Sequence, residues 1–596
     1  MAALKIENLI TDHLDLWSAA VRPKSSAGRG SNSKLELTGI KMLRELILEL
    51  AVRGKLVPQD PSDEPASVLL ERIAAEKARL VKEGEIKKPK TLPKISEEEK
   101  PFGLPEWWEW VTLGSLGVIT SSSRVNKKDW VATGVPFFRT REIVQLSKFG
   151  ICDNELFISE RLYDELISSG TVPEKNDVML TGVGTIGIPY VVMEHDRFYF
   201  KDASVLIFKN IFNLWPNYLD LFFRSPCWIE QIHDGSMGTT VHTLTIVRAN
   251  AIKIPIPPAE EQLRIVAKVG ELMALCDQLE QCSESQLAAH QTLVETLLAT
   301  LTDSTDADEL AQNWARLSTH FDTLFTTERS IDALKQTILQ LAVMGKLVPQ
   351  DPSDEPASAL LERIAAEKAQ LVKEKKIKKE KPLPAISEDE KPFELPLGWV
   401  WSRISESSLF CEYGSSEKTL SELSDGVPVL KMGDIQDGKV ILGSHQVVSP
   451  KIDDLPNLYL KKGDILYNRT NSAELVGKTG MFDGDDDTYT FASYLIRIRC
   501  SIHNIRPEYL TLCMNSPLFR KTQIEPHIKQ QCGQANVNGT LMKSMLVSIP
   551  PYHEQVLILQ KIHELMTLCD QLKSRLQTSQ QTQLALAESL VEGALA

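Results

Sequence analysis

Two stretches of the chain have residue types at spacings that could do chemistry. Gly182-Val183-Gly184-Thr185-Ile186-Gly187 is a formal GxGxxG. A dinucleotide loop needs that spacing between a strand and a helix, so that backbone N–H groups at the helix start meet the pyrophosphate. Here Asp177-Val178-Met179-Leu180-Thr181 precedes it and Ile188-Pro189-Tyr190-Val191-Val192-Met193 follows. Proline and β-branched residues after the glycines predict strand–turn–strand, which cradles no phosphate. Ile549-Pro550-Pro551-Tyr552 has the outline of the Asp/Asn-Pro-Pro-aromatic loop used in methyl transfer to amino groups. It puts Ile549 where the catalytic side chain must stand, and Pro257-Pro258 is followed by Ala259. There is no Walker A, HExxH or GxSxG sequence, and the run Asp485-Asp486-Asp487 lies in a Gly/Asp-rich turn. The nine cysteines form no CxxC pair, and no histidine cluster has metal spacing. These absences predict a chain that is not itself an enzyme and holds no metal or cofactor.

The elements that would position any site come in duplicate. Gly54–Glu83, GKLVPQDPSDEPASVLLERIAAEKARLVKE, returns almost letter for letter from Gly345. That offset of about 291 residues is far longer than a solenoid period, so a large unit has been used twice. Before each copy runs a helical stripe, Ile40, Leu43, Ile47 and Leu50, then Ile331, Leu334, Ile338 and Leu341. Gly54 and Gly345 follow as helix terminators, and Ser67 and Ser358 are expected to cap the next helix. At Leu104 the pattern changes. Trp108/Trp110 and Trp399/Trp401 open two β-rich regions as core anchors, and each region ends in Ile-Pro-Pro, at 256–258 and 549–551. GVPFFRTREI (134–143) aligns with GVPVLKMGDI (426–435), and YLDLFFRSP (218–226) with YLTLCMNSP (509–517). The scaffold is shared, whereas the pieces between differ in length and chemistry. Long helices follow. Ile265, Val269, Leu272, Cys276 and Leu279 keep heptad spacing, as do Ile558, Ile562, Leu565, Cys569 and Leu572. About 40 residues at ~1.5 Å each span ~60 Å, and so long a seam needs a partner helix, expected to be the other copy packed antiparallel. The fold class is therefore α+β. The expected order is a helical region 1–105 carrying a Gly/Ser linker, a mixed α/β domain 106–258, a helical region 259–395, a second domain 396–551 and a last helix 552–596.

Identical surfaces bind identical partners, and divergent ones bind different things. Two copies of one protein should dock on the helices, and the two domains should read different targets. DNA suits this layout, because half-site spacing on a duplex is a rigid quantity. The formal net charge of -14 argues against an unspecific nucleic-acid binder. Both globular segments, however, are near neutral, so a local basic groove is compatible with it. The N-terminus has no apolar core of a leader and no run is long enough to span a bilayer, so a cytoplasmic protein is expected.

The duplicated GKLVPQDP repeat, the two domains ending in Ile-Pro-Pro and the long helices resemble, over essentially the whole chain, the specificity subunit of type I restriction–modification enzymes. The resemblance implies two target recognition domains, each reading half of a split, asymmetric DNA site, with the helices as a ruler between them. It also implies two methylation subunits carrying S-adenosylmethionine, and two restriction subunits driven by ATP with magnesium. A scaffold with no nucleic-acid role, pairing two copies of one partner on a coiled coil, is the alternative.

Base-reading candidates follow from side-chain chemistry in the aligned loops. Arginine pairs bidentately with guanine and asparagine with adenine. In the first domain they are Arg139, Thr140 and Arg141, then Thr181, Gly182 and Thr185, then Thr239, Thr240 and His242. In the second they are Lys431, then Asn468, Arg469, Asn471 and Ser472, then Gln530, Gln531, Gln534 and Asn536. Arg124, Lys127 and Lys128 are assigned to phosphates. Arg139→Ala is expected to relax specificity in one half-site only. Exchanging residues 106–258 for another such domain should change one half of the methylated sequence and leave the other. A change in both halves would remove the modular reading.

Overall fold

The computed structural model describes residues 6–23, 35–84, 86, 95–169, 171–234, 243–305, 307–531 and 534–596. The chain divides into two units, residues 1–286 with 579–596, and residues 287–578. Among the described residues no helix is long and apolar enough to cross a membrane.

In the first unit the stripe Ile40, Leu43, Ile47 and Leu50 is buried on the stem helix Thr38–Val52. Gly54 ends it at φ +67°, and a Cβ there would lie 2.5 Å from Pro105, so both backbone and space demand glycine. Lys55 then donates to the carbonyl of Leu595, 2.7 Å away, in the last turn of the C-terminal helix. The repeat helix Ala66–Glu83 begins one residue before the expected cap. Pro65 holds the cap position, the Ala66 N–H donates to the Trp107 carbonyl at 3.0 Å, and Ser67 lies inside the first turn. A chain approaching from the domain thus satisfies the first N–H of the helix, and no side chain caps it. Lys77, on the same helix, donates to the Gly114 carbonyl at 2.7 Å. Residues 6–23 hold two short helices, Ile6–Thr11 and Leu14–Ala19, with Trp17 wholly buried. Six-residue helices show too little periodicity to read from the sequence, and the expected Gly/Ser linker PKSSAGRGSNSK lies, after Pro23, outside the described residues.

The first domain is closed at its base by Glu109–Thr112 paired antiparallel with Lys253–Ile256. Its main sheet runs Val118–Thr120, Val205–Lys209, Val178–Thr181, Pro189–Val191, all antiparallel neighbours. A second sheet joins Tyr199–Phe200 parallel to Val135–Phe138 and adds Phe157–Ile158 and Trp130–Val131. The long helix Ala259–Asp303 follows. Its seam residues Ile265, Val269, Leu272 and Cys276 are buried and Leu279 is half-buried. Arg44 of the stem helix pairs with Asp277 and Glu280 across it.

The second unit repeats this plan. The stem helix Glu328–Val343 ends before Gly345, φ +69°. Ala357–Lys373 starts after Pro356, with Ser358 inside its first turn and the Ala357 N–H on the Gly398 carbonyl at 2.9 Å. Lys368 donates to the Ser405 carbonyl at 2.7 Å, and Lys346 to the carbonyls of Thr302 and Ser304, each at 2.8 Å. Val400–Arg403 pairs with Leu546–Ile549. The main sheet runs Phe410–Tyr413, Leu495–Arg499, Ile465–Asn468, Thr479–Met481, Lys439–Val440, Ile435–Gln436. One core joins Val294, Leu298 and Leu301, Ile331, Leu334 and Ile338, and Ile558, Ile562 and Cys569, with Leu565 and Leu572 packed at its edge. The seam of Tyr552–Leu595 is thus covered by the stem helix as well as by the last turns of residues 259–303.

Both long helices start with a buried glutamate. Glu261 accepts the Trp108 indole N–H at 3.0 Å and the Gln59 amide at 3.1 Å. Glu554 does the same with Trp399, 2.8 Å, and Gln350, 3.1 Å. Burial raises both carboxyls above their ordinary 4.5, against the hydrogen bonds that lower them. A raised carboxyl binds its proton more tightly folded than unfolded, so its contribution to stability is whole below 4.5 and is lost as pH rises through the folded value. Glu261→Gln with Glu554→Gln is expected to flatten that decline in the unfolding midpoint measured against pH; an unchanged slope would refute it. Glu261→Ala strands the buried Trp108 indole N–H and should cost about 1–3 kcal/mol, with less from the half-buried Gln59 amide.

Candidate nucleic-acid interface

The candidate residues are spread over loops at the ends of several sheets in each domain. In the first domain the GxGxxG segment is the turn between Val178–Thr181 and Pro189–Val191, as the sequence predicted. Thr181 is buried, donates to the Thr185 carbonyl at 2.6 Å and accepts the Ile188 N–H at 2.9 Å. Gly187, φ +78°, leaves no room for a Cβ, which would meet Ile232 at 2.3 Å, and the Trp228 indole donates to its carbonyl at 2.9 Å. The turn is therefore packed down on Trp228, Gly182 is buried, and only Gly184 and Thr185 are exposed at its tip.

Arg139 and Arg141 have an internal partner. Arg139 occupies the N-cap of the helix Thr140–Phe149, and its backbone N–H and guanidinium both reach the Glu142 carboxylate, at 2.9 and 2.8 Å. Arg141 donates to the same carboxylate at 3.0 Å and lies 3.3 Å from Glu155. Glu142 is wholly buried. Burial opposes its ionisation, but the hydrogen bonds from Arg139 prevail and hold the carboxyl below its usual range. Thr140 donates to the Ser204 carbonyl at 3.2 Å. Lys431 holds the matching position in the second domain, with its N–H on Asp434 at 2.6 Å and its ammonium on Thr419 at 3.1 Å and on Gln446. Direct base reading by Arg139 or Lys431 therefore has to compete with these bonds. By contrast Arg124, Lys127 and Lys128 are exposed, on the loop and single turn around Lys127–Asp129, with no ion pair among the described residues.

In the second domain Asn468 ends the strand Ile465–Asn468, buried, with its side-chain oxygen unpaired among the described residues. Arg469 follows, its guanidinium carbon 5.1 Å from the centre of the Tyr413 ring. Thr470–Asn471 pairs with Gln534–Asn536, which pairs with Lys529–Gln531. That small sheet gathers the backbones of Gln530, Gln531 and Gln534 beside Asn471 and Ser472; Asn471 accepts the Ser472 N–H at 2.8 Å, and exposed Asn536 accepts the Thr470 hydroxyl at 3.3 Å. Thr239, Thr240 and His242 lie outside the described residues. Sequence reasoning missed Tyr413 and Tyr494, both about half exposed at sheet ends. Counting outward from aligned strands would have found them, since the shared scaffold fixes which positions face out.

Arg497 and Arg499, on the neighbouring strand, belong to the scaffold. Arg497, 1% exposed, reaches Glu412, Asp464 at 3.7 Å and the Tyr459 carbonyl at 2.7 Å, and Arg499 also binds Asp464. No cluster of residues that could hold a metal ion is present among the described residues.

Comparison with known proteins bears on what these domains are. The family described as type I restriction modification DNA specificity domain matches twice, over residues 105–289 and 402–579. The EcoEI specificity subunit of a type I restriction enzyme from Escherichia coli is 43% identical over 99% of this chain and 100% of its own length. The EcoAI specificity subunit, from the same species, is 42% identical over the same shares. A chain from a solved structure on complex assembly and conformational transition of the type I R-M system is 17% identical, with a TM-score of 0.48, covering 83% of this chain and 99% of its own. Matched twice by the family model and end to end by its relatives, the chain belongs to the specificity subunits of type I restriction–modification systems.

Proposed function

We propose that the chain reads a split, asymmetric DNA site, one half with residues 106–258 and the other with residues 396–551. The observation that supports this most is a contrast. The frame contacts of the two units repeat almost bond for bond, from Lys77 and Lys368 to Glu261 and Glu554. The loops above the sheets share neither length nor side chains. A repeated frame offers one docking face twice, here to two methylation subunits and through them to two restriction subunits. The chain itself is non-catalytic in this reading. Adenine methylation with S-adenosylmethionine, and cleavage with ATP and magnesium, belong to those partners, and the whole assembly works in the cytoplasm. Exposed Arg124, Lys127 and Lys128 hold phosphates, and the Arg139–Glu142 pair shapes the adjoining loop.

Mapping methylated adenines in a genome that carries the system should yield one two-part sequence with a fixed gap. A protein that is only a scaffold would give none. Replacing Arg124, Lys127 and Lys128 by alanine in the complex with methylation subunits should weaken binding to all sequences alike. It should also lower the slope of log affinity against log salt by about one per lost contact. An altered sequence preference instead would make them base readers.

A further inference from the structure

Two backbone hydrogen bonds place Gly182 and Arg469 at the same point of the two domains. The Gly182 N–H donates to the Ser204 carbonyl at 2.8 Å, and its carbonyl accepts the Leu244 N–H at 2.9 Å. The Arg469 N–H donates to the Tyr494 carbonyl at 3.1 Å, and its carbonyl accepts the Val537 N–H at 2.9 Å. Strand register extends the match. Val205 stands opposite Thr181, and Leu495 opposite Asn468. Val118 pairs with Lys209 and Phe410 with Arg499, which brings Ser121 and Tyr413 to one position. Three small residues of the first domain, Ser121, Gly182 and Ser204, are therefore replaced by Tyr413, Arg469 and Tyr494.

The exchange changes what each domain can offer. The Ser121 hydroxyl is taken up internally, donating to the Val205 carbonyl at 3.1 Å and accepting the Ala203 N–H at 3.2 Å. Gly182 has no side chain, and a Cβ there would lie 3.2 Å from the Leu244 carbonyl. At the same place the second domain holds a guanidinium with no ion pair among the described residues, unlike Arg497 and Arg499 of the same sheet. The guanidinium packs over the Tyr413 ring at a cation–π distance. Tyr413 is itself pinned, its hydroxyl accepting the Gly539 N–H at 2.7 Å. The Arg469 Nε has no acceptor among the described residues. A guanidinium stacked on a ring and left without an acceptor or ion pair among them is what a recognition group looks like before its ligand supplies one.

We infer that Arg469 selects a guanine in the half-site read by the second domain, and that Tyr413 is the positioning residue that holds its guanidinium in place. This rests on the DNA-reading function proposed above. A planar, immobilised fork matches the paired O6 and N7 acceptors of guanine in the major groove. A phosphate needs no such preorganisation and is served by exposed, flexible cations. The first domain, with glycine and serines here, lets the duplex come closer and takes its specificity from other positions.

The test uses the complex with methylation subunits, wild type and Arg469→Ala, with methylated-site mapping and binding to duplexes substituted one base pair at a time. The wild-type site should contain a guanine in the half assigned to the second domain by domain exchange. Arg469→Ala should cut discrimination at that position roughly ten- to hundredfold and leave the other half unchanged. Arg469→Lys should not restore it, and Tyr413→Leu should lower it in part. Equal weakening on every sequence would make Arg469 a phosphate contact, and an unchanged site would make it a bystander; either result overturns the assignment. Should Arg469→Ala fail to assemble, Arg469→Gln, which keeps part of the stem, carries the same expectation, and failure of both would make the residue structural and also overturn it. A wild-type complex without any two-part preference would instead defeat the DNA-reading function itself.

Discussion

Everything in each half of this chain is joined at one buried carboxylate. Glu261 and Glu554 sit at the first turn of the long helices, where unpaired backbone N–H groups favour negative charge. Each accepts from a tryptophan of the domain's opening strand and from a glutamine of the GKLVPQDP repeat. Three segments far apart in sequence thus share one acceptor. Moving any of them would strand a buried polar group, and that is expensive where water cannot reach.

Around that joint the repeated letters have identifiable work. Gly54 and Gly345 turn the backbone at positive φ against Pro105 and Pro396. Lys55 and Lys346 close the carbonyl ends of long helices. One ion pair recurs, Arg44 with Asp277 and Lys335 with Asp570, but Glu280, which also meets Arg44, gives way to Lys573, which stands opposite Asp332 and Glu328. The apolar stripe and that one pair are therefore common to both halves, and the rest of the ionic trim is particular to each.

A rigid base leaves the loops above it free to differ. The same backbone bonds hold glycine in one domain and arginine in the other, because those bonds use only N–H and C=O groups. A side chain can change there without disturbing the sheet.

The sequence by itself determined the duplication, the heptad seams, the glycine turns and the hairpin nature of the GxGxxG segment. Each depends on neighbours within a few positions, where spacing and backbone sterics decide the outcome. It also pointed to Arg469 and Asn468 among the candidates, but gave Arg139 equal standing. Only the tertiary structure separated them, by bringing a buried Glu142 to Arg139 and a tyrosine ring to Arg469. It likewise put Ser67 inside the helix, with the Ala66 N–H on the Trp107 carbonyl, and folded the short helices around Trp17. Whether a polar group is free or engaged depends on what arrives from distant parts of the chain, and no local pattern of letters carries that information.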